Sequence, residues 1–129
     1  MRSVSPPIRN LELRNRLSEL LDEAFSKPER AVPLYVLRSF GRLVEGQQRA
    51  AIQYGALIEA VEEAVREVGS LVSGKEVTDN LINTGLLRHP GEVGGERWVA
   101  PGERLRSELR PAVSRVDAYC LALETFRRR

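Results

Sequence analysis

From Val36, the positions Phe40, Leu43, Gln47, Ala50, Tyr54, Leu57, Val61, Ala64, Val68 and Leu71 follow in alternating steps of four and three. All but Gln47 are apolar, and this period predicts one long amphipathic helix over Val36–Val72. A second row, Leu37, Val44, Ala51, Ile58, Val65 and Val72, recurs every seventh residue beside it. The apolar face is therefore wider than a two-stranded seam and calls for several neighbours. Upstream, Leu13, Leu17, Leu20 and Ala24, flanked by Leu21 and Phe25, predict a shorter helix that Asn10 caps. Pro28 and Pro33 place a turn between the two helices, with Pro33 early in the longer one. Pro6 and Pro7 make residues 1–9 an extended arm.

After Val72 the pattern shortens. Ser73 and Gly74 interrupt it, Lys75–Asn83 predicts a short helix that Gly85 ends, and Leu86–Ala100 reads as a β-hairpin. Its glycine-rich turn spans Pro90–Gly95, and Trp98 is its anchor. From Gly102 the helical period returns through Leu105, Leu109, Ala112 or Val113, Val116, Tyr119 or Cys120, Leu123 and Phe126. Pro111 lies inside that run and would cost about 3 kcal/mol in a helix interior, so a kink or a fresh start is expected there. The fold class this predicts is all-α. An arm (1–9) and a long helical hairpin (10–72) precede a helical bundle with one small β-hairpin (73–129).

A chain of 129 residues is one domain's worth and can build a core without staples. One cysteine, Cys120, allows no disulfide framework, and its place in an apolar helical row makes it a buried filler. His89, the only histidine, sits beside Pro90 in a turn and is expected at the surface. No nucleophile with a base, carboxylate pair, metal cluster or phosphate loop can be placed, so neither catalysis nor a cofactor is expected. No run is long enough to span a bilayer and the N-terminus lacks a signal-peptide core, so a soluble intracellular protein is expected.

Charge adds one asymmetry. Nine basic and six acidic residues lie up to Leu57, against eleven and twelve after it, and only Lys27 and Lys75 are lysines. Arg9, Arg14 and Arg16 stand off the apolar face of the first helix. Arg38, Arg42 and Arg49, with Gln53, lie at helical spacing on the second. Arginine's fork suits phosphate oxygens, so these seven residues are the candidate nucleic-acid contacts. Arg127–Arg129 close the chain and would suit phosphate or a helix C-terminus.

Two resemblances follow from these residues. The Pro6-Pro7 arm, the arginine-bearing hairpin of 10–72 and the small size resemble the major coat proteins of rod-shaped and filamentous archaeal viruses with double-stranded DNA genomes. That resemblance implies a structural, sequence-independent packaging protein of the virion, with duplex DNA in A-form. Its further partners would be copies of itself and a second related coat protein. Residues Lys75–Ala100 resemble the end of a winged-helix domain, in which a recognition helix leads through Gly85-Leu86-Leu87 into a glycine-rich wing. This implies a DNA-binding regulator, although the single long helix predicted upstream departs from the two short helices such a domain needs. A helical adaptor that uses the broad stripe on Val36–Val72 for a protein partner is a third reading.

Overall fold

A computed structural model describes residues 7–47, 51–68 and 72–127. The chain wraps one helix, α2 (Val32–Gln47), whose residues Leu34 to Gly41 are all buried. A helix apolar all round must be enclosed by others. Here α3 (Tyr54–Val68), α4 (Gly74–Asn83) and α6 (Leu109–Arg127) do most of the enclosing. The first helix, α1 (Leu11–Ser26), begins as the sequence predicts, with Asn10 Oδ1 accepting from Leu13 N at 3.0 Å. Leu13, Leu17, Leu20 and Ala24 form its buried face. A short 3-10 turn, Pro28–Ala31, then leads into α2, with Pro33 in the first turn, where a missing N–H is no loss. The fold is thus mainly helical with a small antiparallel sheet.

The single helix predicted over Val36–Val72 is instead two helices with a strand between them. α2 ends at Gln47, β1 (Ile52–Gln53) is extended, and α3 follows at once. Three local features explain the break. The seam members nearest it, Gln47 and Ala50, have little apolar surface to bury. Gly46 and Gly55 would each cost about 1 kcal/mol relative to alanine inside an unbroken helix. Ile52, a β-branched residue, becomes fully buried by pairing with Val99 on β4 (Glu96–Pro101), a gain of roughly 1.5–3 kcal/mol. The seven-residue spacing survives because α2 and α3 face the same core.

β4 organises the sheet. β1 lies on one edge, in the register Ile52 to Val99 and Gln53 to Trp98. On the other edge lie β2 (Leu87–Arg88), with Leu87 opposite Pro101, and β3 (Glu92–Val93), with Val93 opposite Glu96. The two-residue loop Gly94-Gly95 has φ of 61° and 80°, the left-handed pair that a tight hairpin of this twist requires. The predicted hairpin is therefore present, and it has gained a third neighbour, β1, that the helical pattern concealed. This pairing also joins residues 10–72 to residues 73–129.

The C-terminal segment divides where proline chemistry demands, though slightly earlier than predicted. α5 (Glu103–Ser107) stops at Glu108, and α6 starts at Leu109, so the new helix begins before Pro111. Pro111 then sits in the first turn, where its ring breaks no hydrogen bond. Gly102 precedes α5 at a contact that leaves no room for a side chain. A Cβ there would fall 1.8 Å from the carbonyl oxygen of Gly85, and Gly102 N donates to Leu86 O at 2.8 Å. α1 and α6 run side by side in the same direction. Glu108 accepts from the backbone N–H of Arg9 and, at 2.6 Å, of Asn10, while Phe25 and Phe126 meet edge to face 5.2 Å apart at the far end.

Candidate nucleic-acid interface

The break at β1 turns α3 and α4 into a pair of short helices beside a hairpin. Ser73 Oγ accepts from Glu76 N and caps α4, which buries Gly74, Thr78 and Leu81 against the core. The Thr78 hydroxyl donates to Gly74 O at 2.8 Å, so this buried polar group is satisfied within the helix. Lys75, Glu76, Asn80 and Asn83 remain exposed. Glu76, Asn80 and Asn83 fall at i, i+4 and i+7, one face of the helix. Such a face carries donors and acceptors of the kind that read base edges: asparagine pairs with adenine, and glutamate accepts from cytosine.

A compact cluster fixes how this helix meets the hairpin. The Tyr54 hydroxyl, from the first residue of α3, donates to Asp79 Oδ1 on α4 at 2.6 Å. Lys75 Nζ reaches the other oxygen of Asp79 at 3.1 Å. The Arg97 guanidinium of β4 lies 4.5 Å over the Tyr54 ring. Burial, with help from the Asp79 hydrogen bond, pushes the Tyr54 phenol up to about 12. Burial alone would raise Asp79 too. The hydrogen bond from Tyr54 and the Lys75 ammonium outweigh it and hold that carboxyl below its usual range. On the hairpin, His89 is exposed and its Nδ1 donates to Trp98 O at 3.0 Å, while Arg88 points to solvent from β2.

The seven residues singled out by charge do not converge. Arg9 is exposed ahead of α1. Arg14 and Arg16, two residues apart on one helix, point some 200° from each other. Arg14 is exposed, whereas Arg16 is half-buried and lies 3.5 Å from Glu19. Arg38 is 9% exposed; its Nη1 donates to Glu124 Oε1 on α6 at 3.0 Å and its guanidinium lies 4.6 Å over the Tyr35 ring. It is a core residue, because α3, α4 and α6 enclose this stretch of α2. Arg42 is exposed on a shallow cleft between α2 and α3 that Glu63 and Glu67 also line. Gln53 lies on β1, its amide donating to Glu96 at 2.5 Å. Arg49 lies outside the described residues.

Neither charge nor helical spacing marks Tyr54, Arg88 and Arg97 as a site in the sequence, because without β1 nothing brings Tyr54 to the hairpin. The local signal was the run Ile52-Gln53-Tyr54, whose alternation suits a strand but was absorbed in the helical period. Charge around α4 is also distinctive. Residues 54–101 hold four cations, Arg66, Lys75, Arg88 and Arg97, against eight carboxylates. Cys120 is fully buried, and burial pushes its thiol up to about 12, which leaves it inert. Among the described residues no group of acidic, histidine or cysteine side chains could hold a metal ion, and no helix is long and apolar enough to cross a membrane. Comparison of the chain with protein-family models, with curated proteins and with solved structures gave no match.

Proposed function

We propose that this chain is a winged-helix module that binds duplex DNA, with α4 as its recognition helix and the β3–β4 hairpin as its wing. The observation that carries the reading is the pairing of β1 with β4. It divides the predicted long helix, supplies the second short helix that a helix-turn-helix requires, and sets α3 against β4 while α4 packs on β2. In such a module the second helix lies in the major groove while the first crosses the backbone. Asn80 and Asn83 are the base-reading candidates, and Arg66, Lys75, Arg88 and Arg97 are the phosphate candidates. Four contacts would give a salt slope of about −3.6 in log–log terms for one copy. With eight carboxylates nearby, sequence-independent attraction is weak, so affinity depends on base contacts more than on charge.

The packaging reading draws instead on Arg9, Arg14 and Arg42, which stand in solvent. It has less to work with, because Arg38 is engaged with Glu124 and the helix meant to continue the wrap is divided at Ile52. One experiment tests both. Selection from a random duplex pool, followed by footprinting on a long duplex, is expected to yield a short preferred motif and a local footprint. Asn80→Ala and Asn83→Ala should relax the preference by roughly 1–3 kcal/mol at single positions. Uniform protection of the whole duplex without a motif would favour packaging. Absence of binding at low salt would overturn both and leave a protein-binding module.

A further inference from the structure

The hairpin divides its charge by position. At its base Arg88 of β2 is exposed, opposite Ala100 of β4. At its tip residues 92–96 read Glu-Val-Gly-Gly-Glu, and all of them are exposed, Val93 at 70%. The tip therefore carries two carboxylates and no cation. Arg88 is too far away to neutralise them: Ala100 and Glu96 are four residues apart on β4, about 13 Å at the rise of a strand, against a Debye length of about 8 Å in physiological salt. Arg97 is nearer and faces Glu92 in the register, but its guanidinium lies over the Tyr54 ring and its Nε is buried without a hydrogen-bond partner. Glu96 accepts from the neutral Gln53 amide, which leaves its charge in place. Among the described residues neither Glu92 nor Glu96 forms an ion pair.

This division limits how a duplex can lie on the module. A phosphate backbone is gripped by cations and hydrogen-bond donors. The minor groove, where it is narrow, has a still more negative potential and draws arginine and lysine into it. Residues 92–96 hold no side-chain donor, and their two carboxylates are repelled by both surfaces. The donors lie elsewhere. Lys75, Asn80 and Asn83 are exposed on α4, Arg66 on α3 and Arg88 at the base of the hairpin. Whatever hold this chain has on a duplex must come from the helix pair and that base.

We propose that the chain reads duplex DNA from the major groove alone, with Glu92 and Glu96 holding the hairpin tip off the sugar–phosphate backbone and out of the minor groove. The inference rests on the winged-helix reading above and deepens it, because it names the groove used. It also makes the two glutamates determinants of docking by repulsion: an approach that brings the tip against phosphates is penalised, which favours the one in which α4 is inserted and the tip stands clear.

The test is methylation interference with the full chain on a duplex that carries the selected motif. Dimethyl sulfate methylates guanine N7 in the major groove and adenine N3 in the minor groove, so one reaction marks both. The bound fraction is expected to be depleted of N7-methylated guanines within the motif and to keep N3-methylated adenines throughout, flanks included. Depletion of N3-methylated adenines beside the motif would overturn the proposal, since the minor groove would then be occupied. Variants of the tip give an independent reading. Val93→Ala is expected to bind within about twofold of the wild-type chain, and the double variant Glu92→Gln, Glu96→Gln at least as tightly as it, with helical circular dichroism kept in both. A loss of about tenfold in either folded variant would put the tip on the DNA and likewise overturn the proposal. A wild-type chain that binds no duplex at low salt would instead remove the winged-helix reading, and this inference with it.

Discussion

Arg38 on α2 and Lys75 on α4 are each paired with a carboxylate, yet only Lys75 remains exposed. Arg38 in α2 is enclosed and spends its guanidinium on Glu124 and the Tyr35 ring. Lys75 in α4 meets Asp79 in solvent, on the same helix as the exposed Asn80 and Asn83. The side chains differ less than the number of neighbours their helices have. An ion pair enclosed by neighbouring helices becomes part of the core, and one on a helix covered on one side stays in water.

The sharpest way to break this contrast is to cut into the enclosed helix. Phe40→Ala, at a fully buried position, is expected to lower stability by about 3–5 kcal/mol in denaturant titrations. The equivalent truncation Asn80→Ala should leave the midpoint within about 0.5 kcal/mol. Next in size is the Arg38–Glu124 pair. Glu124→Ala leaves a nine-tenths buried guanidinium without its carboxylate, and a loss of about 1–3 kcal/mol is expected, less than for a fully buried pair because Glu124 is partly solvated. Arg38→Met, which removes the charge and keeps volume, should cost less than Glu124→Ala. The opposite order would mean that Arg38 serves something other than the core.

A pH titration sharpens the other side of the comparison. The Tyr54 phenol is raised to about 12 in the folded chain, so the fold holds that proton more tightly than the unfolded chain does. Stability from this group is complete below pH 10 and falls as pH rises toward 12. Ultraviolet difference spectra should therefore lose a phenol ionising near pH 12 when Tyr54 is replaced by Phe. Smallest is the effect of Arg14→Ala, an exposed change expected to alter stability by under 0.5 kcal/mol and to leave a motif-specific footprint in place. Loss of all DNA binding in that variant would return the arginines of the first helix to the centre of the problem.

Much of the fold was legible because local chemistry and tertiary context agreed. Asn10 capped α1, Pro33 opened α2, Ser73 stood at the start of α4, and the glycines of 91–95 made the hairpin. β1 was not legible. Two residues cannot express a strand period, and Ile52, Tyr54 and Leu57 fit the helical seam as well as they fit the actual path. What decides it is Val99, 47 positions away, and no local pattern contains that contact. The same gap misplaced the candidate site. Arginine count is visible in sequence, but enclosure of Arg38 and the meeting of Tyr54 with Asp79 and Arg97 depend on which helices surround which. Position on a periodic face says that a residue is off the seam; it does not say that the face is free.

The stack of Arg97 on Tyr54, with the tyrosine hydroxyl held by Asp79, makes the hairpin and the α3–α4 pair behave as a single splint. A force applied at the tip, residues 92–95, passes along β4 to Arg97 and from there into the first turn of α3 and the middle of α4. These three side chains thereby tie the angle of the hairpin to that of α4.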